Sequence, residues 1–460
     1  MTFPKSFVLL LLSAFAVLSF AEEPHLAIEI FRHGARGPLN ATYDDPNSWG
    51  NDLGQLTPVG QRMHYLLGVA LRNKYPELIT NYDPSTVYFR STDVNRTIMS
   101  AQAHVFGLYK GLGPGLNTTI DKKDAIPPFN SEIIQKTVEN LENTEALPGN
   151  LQPVPIHVVS GQEDHLLRPW DACPISQKWL KQDGKDALSK EVFEKDLKDV
   201  TAYLKGQNLN VNTIMDLYTI GDNTIANRFQ GLPIPGNVKV GSKEFKSLLF
   251  ATEWWAIKLF AGDQTQKALF SYNILNYIIG VFEGVTNGTS PLKYVSLSAH
   301  DTTLLTVLYA FDIVNTNCMI ENFRKTINDE PAPKPNCKFP EYASNLVFEF
   351  TKGSDGKEPT IQLKYDNNLV PACGGGTDPC TLSDFKKYVA KVTNNLSLND
   401  YRSQCGLVAS TPSSSSGIWI IVLLVVCVIL AVALGVTYQK LQKKAEEVNS
   451  KAGGEYYADA

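Results

Sequence analysis

The sequence of 460 residues lacks the hallmarks of several large classes of protein. Basic residues are not in excess, because 42 lysines and arginines stand against 47 acidic residues and give a formal net charge of -5. A nucleic-acid-binding protein normally carries a basic surface, so this balance predicts no nucleic-acid partner. Charged residues make up 19% of the chain and hydrophobic residues 43%, a globular composition that argues against extended disorder.

Histidine is scarce as well, with seven residues in the whole chain. Five of them show no metal-ligand spacing and are interpreted as structural: His25, His64, His104, His157 and His165. The chain has no Gly-x-Ser-x-Gly segment, which would place a serine nucleophile on a sharp turn, and no Asp-x-Asp motif. We therefore expect chemistry that needs no metal ion and no organic cofactor.

Uncharged apolar runs lie near both ends of the chain. Lys5 precedes an apolar run over residues 7–20, so we interpret residues 1–21 as a secretory signal peptide. Residues 418–436 carry no charge and are long enough to cross a bilayer as one helix. Lysines at 440, 443 and 444 follow, and the positive-inside rule puts this end in the cytosol. The sequence thus predicts a single-pass type I membrane protein of the plasma membrane or the lysosome, anchored in the lipid bilayer.

Between these runs the pattern of apolar residues predicts an α/β fold class with a central mixed sheet flanked by helices. Strand-like segments fall in residues 22–110 and 290–405, which we expect to form the α/β domain. Residues 111–289 are mostly helical in pattern and are expected to form an inserted cap. A Ser-rich stalk at 406–417 leads to the membrane, and residues 437–460 form the cytoplasmic tail.

The spacing of apolar residues also predicts the individual elements. Predicted strands lie at 26–31, 86–91, 156–159, 293–298, 345–351 and 360–365. Predicted helices lie at 58–75, 98–108, 186–204, 211–228, 244–260, 263–283, 302–311 and 382–392. A Gly-Ser-Asp-Gly segment separates the last two strands and predicts a hairpin.

Cysteine usage agrees with export. Of the seven cysteines, Cys427 lies in the apolar run near the C-terminus, which leaves an even number in the exported body. An even number in an oxidising compartment indicates disulfides. The pairs that spacing favours are Cys373–Cys380, Cys318–Cys337 and Cys173–Cys405. The sequence alone leaves other pairings, and free buried thiols, open.

An unusual set of side chains lies where the first predicted strand ends. The segment from Arg32 to Arg36 reads Arg-His-Gly-Ala-Arg and is followed by Gly37 and Pro38, which break the strand. Two guanidinium groups flanking the imidazole of His33 repel each other in a plain surface turn. They suit a turn that holds an anion, and ligands of open α/β sheets bind outside the carboxyl ends of the strands.

Two further strand ends carry related residues. The second predicted strand leads into a helix through a segment with Arg90 and Arg96. A later strand ends at His300-Asp301, directly before an apolar helix for which Asp301 is a candidate N-cap. Parallel strands would bring all three ends to one edge of the sheet, so we expect these side chains to meet there.

These segments resemble a known family. Arg32-His33-Gly34-Ala35-Arg36-Gly37-Pro38 matches the Arg-His-Gly-x-Arg-x-Pro signature of the histidine acid phosphatases, and His300-Asp301 resembles their second catalytic element. Residues 90–96 are similar to those of the prostatic and lysosomal members, and the resemblance extends from about residue 25 to residue 405. It implies a phosphoglycerate mutase-like fold and the hydrolysis of small phosphomonoesters or phosphoproteins without a cofactor.

The resemblance also implies a role for each residue. The implied phosphate ligands are Arg32, Arg36, Arg96 and His300. His33 would attack phosphorus in line and form a phosphohistidine, while Asp301 would protonate the leaving alcohol and then help to activate water. The arginines should lower the pKa of His33 and keep it nucleophilic in acid, which predicts an acid optimum.

Several alternatives stay open at the level of sequence. Arg90 does not match the family's phosphate-binding arginine and is either a supporting charge or a ligand. The whole ectodomain could instead be a catalytically inactive binding or receptor module. Phytase-like members usually carry His-Ala-Glu at the second element, so His300-Asp301 disfavours an inositol phosphate specialist. Members of the family often dimerise, and a homodimer is possible here.

Asn-x-Ser/Thr sequons are also compatible with export. Predicted glycosylation sites are Asn40, Asn117, Asn287 and Asn395. A fifth sequon at Asn95 adjoins Arg96, where a glycan would obstruct the phosphate site, so we expect it to be unoccupied.

Overall fold

A computed structural model describes most of the chain between the two apolar ends. The described residues are 23–40, 49–112, 147–354, 356–407, 430 and 434–445. Contacts divide the chain into two units, Met1–Cys405 and Gly406–Ala460. The predicted signal peptide, Asn117 and most of the predicted membrane span at 418–436 lie outside the described residues. In the second unit, residues 434–445 are helical and exposed.

The first unit contains a mixed sheet of eight strands among the described residues. The strands are β1 (Leu26–Arg32), β2 (Val87–Thr92), β3 (His157–Val159), β4 (Tyr294–Ala299), β5 (Asn345–Thr351), β6 (Thr360–Tyr365), β7 (Asn368–Val370) and β8 (Cys380–Thr381). Their order is β3-β2-β4-β1-β5-β6-β7, and β8 pairs with β6. The first four are parallel to one another, whereas β5 to β8 pair in antiparallel fashion. The predicted α/β class, mixed sheet and hairpin are confirmed.

Helices flank this sheet. They are α1 (Pro58–Lys74), α2 (Asn95–Leu108), α3 (Pro169–Ala172), α4 (Gln177–Leu180), α5 (Ala187–Glu191), α6 (Lys198–Gly206), α7 (Ile214–Gln230), α8 (Lys243–Phe260), α9 (Gln264–Thr286), α10 (Asp301–Ala310), α11 (Thr316–Thr326), α12 (Leu382–Val392) and α13 (Leu398–Cys405). The helix predicted at 186–204 is divided, because a π-helical turn at Val192–Asp196 separates α5 from α6. Sequence patterns did not predict α3, α4, α11 or α13.

The central strand β1 is buried along its whole length, on both faces. Strands in the parallel part of a sheet are covered on both sides and therefore differ from the half-exposed strand that alternation normally indicates. Burial includes the carboxylate of Glu29, which lies 2.6 Å from the hydroxyl of Tyr294 and 2.8 Å from the amide nitrogen of Asn345. His104 lies 3.0 Å away. Burial alone would raise the pKa of Glu29, but His104 and these hydrogen bonds lower it.

Helices α7 and α8 pack closely enough to form one wall. A Cβ atom on Gly221 of α7 would lie 1.9 Å from the hydroxyl oxygen of Thr252 in α8, so only glycine allows this approach. These helices belong to the predicted insertion at 111–289, a range that also contains β3 at the edge of the sheet. The pairing of α7 with α8 orients one face of each towards the ends of the parallel strands.

Among the described residues, one helix is long and apolar enough to cross a membrane by length and composition, namely α9. Half of its most apolar window is buried in the protein. Ile274, Leu275, Ile278 and Phe282 of α9 belong to the main hydrophobic core. The helix therefore packs as a core element of the first unit.

The six cysteines of the first unit are paired as their spacing predicted. The disulfides are Cys173–Cys405, Cys318–Cys337 and Cys373–Cys380. The first of them ties the end of α13 to the residue that follows α3, across 232 positions of sequence. Closing such a long loop restricts the unfolded chain more than closing a short one.

Candidate active site

The carboxyl ends of β1, β2 and β4 meet at one edge of the sheet, because these strands are parallel neighbours. A cavity of about 250 Å³ opens at this edge. The residues predicted from sequence that line it are Arg32, His33, Arg36, Arg96, His300 and Asp301. Segments that are far apart in the chain therefore come together as the strand-end argument predicted.

Backbone contacts fix the turn that carries His33. A Cβ atom on Gly34 would lie 2.3 Å from the carbonyl oxygen of Gly60 in α1, so a larger residue would push the turn away from this helix. The backbone N–H of Gly34 donates to the hydroxyl of Ser100 at 3.1 Å. The backbone N–H of His33 donates to the carbonyl of Ala299, the last residue of β4, at 3.0 Å. The imidazole is thus positioned from both neighbouring segments.

The imidazole of His33 is oriented by its own turn. Its Nδ1 atom lies 2.9 Å from the carbonyl oxygen of Gly34. A carbonyl oxygen only accepts hydrogen bonds, so Nδ1 carries the proton and the lone pair lies on Nε2. Burial, and then the charges of Arg96 and Arg32, hold the pKa of His33 well below its ordinary value. The arginines lower the pKa as predicted from the sequence, but burial is the larger cause.

Arg32 is held by a segment that sequence reasoning missed. Its guanidinium donates to the carbonyl of Pro340 at 2.7 Å and stacks over the ring of Tyr342 at 4.3 Å. The same guanidinium pairs with the carboxylate of Asp301 at 2.8 Å. The backbone N–H of Arg32 donates to the carbonyl of Ser344 at 2.9 Å, so residues 339–344 hold both the backbone and the side chain of Arg32. No local motif marked this segment, because its contacts with Arg32 cross about three hundred positions.

Arg36 is fixed by a second residue that the sequence did not indicate. Its guanidinium lies against both carboxylate oxygens of Asp222 in α7, at 2.8 and 3.3 Å. Asp222 also accepts the backbone N–H of Leu39 at 2.7 Å. Burial alone would lower the pKa of Arg36, whereas Asp222 raises it, so this guanidinium stays charged. No sequence signal distinguished Asp222 from the other buried polar residues of α7, which include Asn223 and Thr224.

Arg96 and His300 form a second contact pair. A guanidinium nitrogen of Arg96 lies 3.4 Å from Nδ1 of His300, and Nε2 of His300 lies 3.0 Å from the hydroxyl of Thr92. Burial, and then Arg96 and Arg168, hold the pKa of His300 well below its ordinary value. Burial, and then Arg36, lower the pKa of Arg96 to about 10, so Arg96 remains a cation in acid and neutral solution. The rings of His33 and His300 lie 5.7 Å apart.

Asp301 occupies the first turn of α10, where the helix dipole favours a negative charge. The N-cap position itself belongs to His300, so the prediction of Asp301 as N-cap is wrong by one residue. The helix begins one residue earlier than predicted because Asp301 already has helical geometry, and its carboxylate accepts the N–H of Thr302 at 2.7 Å. Asp301 is thereby left facing Arg32 and the cavity.

Comparisons with known proteins agree with this geometry. The family model that describes the histidine phosphatase superfamily (branch 2) matches residues 25–366 of the sequence. The chain belongs to this superfamily. Two curated relatives are similar over most of their length, testicular acid phosphatase of Mus musculus and lysosomal acid phosphatase of Homo sapiens. The first is 28% identical over 83% of either chain, and the second is 26% identical over 93% of this chain and 91% of the relative.

Prostatic acid phosphatase of Rattus norvegicus is 29% identical over 86% of this chain and 93% of the relative. Among solved structures, the phytase from D. castellii superposes with a TM-score of 0.54 at 15% identity and covers 85% of this chain and 84% of its own. The last likeness concerns the fold alone. The predicted enzyme class is confirmed, since the chain is a histidine phosphatase whose curated relatives are named acid phosphatases.

Arg90 does not line the cavity of this histidine phosphatase. Its guanidinium pairs with the fully buried carboxylate of Asp164, which also accepts the backbone N–H of Leu167 at 2.9 Å. The next residue, Arg168, does line the cavity and pairs with Asp171 at 2.5 Å. Arg90 therefore supports the loop that carries Arg168, a basic residue that the strand-end argument missed.

The sequence also contains a spacing of cysteine and arginine that is typical of another class of phosphatase. Cys318 and Arg324 have the Cys-x5-Arg spacing of enzymes that form a phosphocysteine. In this chain both residues lie in the helix α11, and Cys318 is disulfide-bonded to Cys337. A sulfur atom in a disulfide is not a thiolate nucleophile, so the spacing has no catalytic meaning here.

Proposed function

We propose that this histidine phosphatase hydrolyses phosphate monoesters through a phosphohistidine formed on His33. The observation that carries the proposal is the hydrogen bond between Nδ1 of His33 and the carbonyl of Gly34. This bond leaves the lone pair on Nε2 inside a cavity lined by Arg32, Arg36 and Arg96. A neutral imidazole among guanidinium groups is the combination needed to attack a bound phosphate.

In the first step the Nε2 atom of His33 forms a bond to phosphorus while the bond from phosphorus to the ester oxygen breaks. Asp301, at the N-terminus of α10 beside the cavity, gives a proton to the leaving alcohol. In the second step the oxygen of water forms a bond to phosphorus while the bond from phosphorus to Nε2 breaks and its electron pair returns to the imidazole. Asp301 takes up a proton from that water, and inorganic phosphate leaves neutral His33 behind.

Arg32 connects phosphate binding to the proton donor. Without substrate its guanidinium pairs with Asp301 at 2.8 Å. A phosphoryl group bound beside Arg32 competes for the same donors, so Asp301 becomes available for proton transfer when the substrate is in place. Arg36 and Arg96 supply further charge-assisted hydrogen bonds. His300 donates from Nδ1 to a phosphoryl oxygen once the guanidinium of Arg96, 3.4 Å from that nitrogen, turns to the phosphate, while Nε2 accepts from the hydroxyl of Thr92.

An acid optimum is consistent with the electrostatics of His33. Because its pKa lies well below the ordinary value, the imidazole stays neutral in acid, where an ordinary histidine is protonated. The nucleophile is therefore active at pH values at which a carboxyl group begins to carry a proton.

We also propose that the enzyme is a type I membrane protein with its catalytic unit in the lumen or outside the cell. The support is the apolar N-terminal run, the uncharged residues 418–436 and the lysines that follow them. Asn40, Asn287 and Asn395 are exposed, as glycan attachment requires. Residues 111–289 are proposed as the cap that shapes the leaving-group side of the cavity.

The test uses the full chain in detergent and two measurements. We expect release of p-nitrophenol from p-nitrophenyl phosphate with an optimum below neutrality, and its loss by about 10⁴-fold or more in His33→Ala. Acid quenching during turnover should trap a phosphoenzyme that maps to His33 alone. An inactive parent chain that binds phosphate would instead favour the binding module, and a phosphoryl group on another residue would refute the assignment of His33.

A further inference from the structure

The cavity has two carboxyl groups that the proposed reaction does not use. Glu253 of α8 and Glu341 of the segment that clamps Arg32 both line it. The other carboxylates of the cavity are paired with arginines, Asp301 with Arg32 and Asp222 with Arg36. Neither Glu253 nor Glu341 forms an ion pair with a basic side chain in the part of the chain that the structure describes.

The position of Glu341 is fixed by its neighbours. The carbonyl of Pro340 accepts a hydrogen bond from Arg32 at 2.7 Å, and the ring of Tyr342 stacks on the same guanidinium at 4.3 Å. Glu341 lies between these two contacts and is exposed. Its carboxylate is consequently held at the rim of the cavity rather than on a free loop.

Glu253 lies on the wall opposite the strand ends. The groups that act on it electrostatically are Glu341, which raises its pKa, and Arg32, which lowers it. Burial is the largest cause, and together these influences raise the pKa of Glu253 to about 8. Glu253 is therefore mainly protonated in acid and gains its negative charge around pH 8, at the same cavity that Glu341 lines.

The lysines near Glu253 form ion pairs with other carboxylates. Glu253 also borders an adjoining cavity together with Lys246 and Lys338. Lys246 pairs with Asp329 at 2.6 Å, and Lys338 pairs with Asp366 at 2.8 Å.

Arg228 of α7 is a basic side chain of the helical wall that lines the cavity. Its guanidinium lies over the rings of Phe229 and Phe245, at 5.2 and 5.5 Å. Leu249, Ala256 and Phe260 of the same helix add apolar surface to the cavity near Glu253. A carboxyl group beside such apolar surface is poorly solvated when it is ionised, so a compact cation next to it favours the ionised form.

We propose that Glu253 and Glu341 form a specificity site for phosphate monoesters whose alcohol carries a positively charged amine. The phosphoryl group would lie among the arginines, and the ammonium group would lie between the two glutamates. The inference rests on the proposed function, because it assigns the leaving-group side of the same cavity. It also implies discrimination against alcohols that carry a second anion.

Three small esters test this site in the full chain. Phosphoethanolamine, propyl phosphate and phosphoglycolate have leaving groups of similar size that are cationic, neutral and anionic. At pH 8, where Glu253 begins to be ionised, we expect kcat/KM to fall in that order, with about a tenfold preference for the cationic over the neutral ester, as one charge-assisted contact provides. Glu253→Gln and Glu341→Gln should each reduce this preference, and Glu330→Gln, an exposed glutamate paired with Lys325, should leave it unchanged.

The pH dependence of the preference separates a charge effect from a structural one. Because the pKa of Glu253 is raised to about 8, this carboxyl group becomes ionised as pH rises through that value, and the preference for the cationic ester should increase. Glu253→Gln should flatten this increase. Glu341→Gln, on the exposed rim, removes a charge that raises the pKa of Glu253, so the increase should move to lower pH, and this second variant keeps the test open if the first does not fold.

The outcomes are distinct. Turnover of all three esters without a preference for phosphoethanolamine, or a preference that both variants retain, would overturn the specificity site while leaving the phosphatase assignment intact. No turnover of any ester or of p-nitrophenyl phosphate would overturn the proposed function and the inference together.

Discussion

The two ends of the cavity are built from different parts of the chain. The phosphate end collects side chains from the carboxyl ends of β1 and β4 and from the first turns of α2 and α10. The opposite wall consists largely of side chains from two long helices, α7 and α8. The first set is placed by backbone pairing within the sheet, and the second by the packing of helices on one another.

This difference has a chemical consequence. Backbone pairing in the sheet fixes the strand ends relative to one another. The Cα positions of the residues that meet the phosphate at these strand ends therefore depend little on side-chain packing. The helical wall depends on side-chain packing and tolerates changes of size and polarity more easily. Among the described residues, the ion pair of Arg36 with Asp222 is the one that joins the phosphate end to the helical wall. We therefore expect substitutions at the phosphate end to act on the chemical step and substitutions at the wall to act on the choice of alcohol.

Among substitutions that keep the nucleophile and the proton donor, Arg96→Gln should give the largest effect. It removes one charge-assisted contact to the phosphoryl group, and we expect kcat/KM to fall by about 100-fold. It also removes a cation that lowers the pKa of His33, so that pKa rises. Since the neutral imidazole is the nucleophile, the loss of activity in acid should then begin at a higher pH, by roughly one unit.

The measurement is the pH profile of kcat/KM, which reports groups of the free enzyme. Arg72→Gln is a matched control, because Arg72 is a partly buried arginine that bonds the carbonyl of Leu108 and does not line the cavity. A profile whose acid side stays in place in Arg96→Gln would show that Arg96 does not tune His33.

Asp222→Asn should give the next largest effect, because it cuts the ion pair that joins the wall to the phosphate end. Arg36 would keep its charge in a buried position without its carboxylate partner. We expect the free energy of unfolding to decrease by about 3 kcal/mol and kcat/KM to fall by about tenfold as the guanidinium shifts. Denaturant titration and steady-state kinetics measure the two quantities. Equal behaviour of Asp222→Asn and of Asp199→Asn, an exposed aspartate in α6, would contradict a bridging role.

The same comparison explains what the sequence could and could not predict. The phosphate end was predictable because its residues form short contiguous segments at strand ends, such as Arg32 to Arg36 and His300-Asp301. Asp222 and Glu253 were not, since each lies in the middle of a helix and meets the site only after that helix packs. The clamp at residues 339–344 was missed for a related reason, because nothing in its local pattern indicates a contact with Arg32.

The fold shows a parallel distinction. Strands β1, β2, β4, β5 and β6 were predicted to within about one residue, as alternation or a continuous apolar run marks them. The helix predicted at 186–204 is divided by a π-helical turn at Val192–Asp196. Apolar spacing alone does not distinguish such a turn from continued helix, because the added residue changes the backbone hydrogen bonds and not the composition.

A substitution of Leu249 in the helical wall should give the smallest effect on catalysis. Leu249 of α8 lines the cavity and is partly buried against the core. Leu249→Ala removes apolar surface that contacts the alcohol equally before and during reaction, so KM for p-nitrophenyl phosphate should rise by about threefold while kcat stays the same. Leu249→Met keeps the volume and should behave like the parent enzyme. A fall in kcat in Leu249→Ala, with KM unchanged, would mean that the wall also positions the phosphate, and the division of labour between the two ends would then fail.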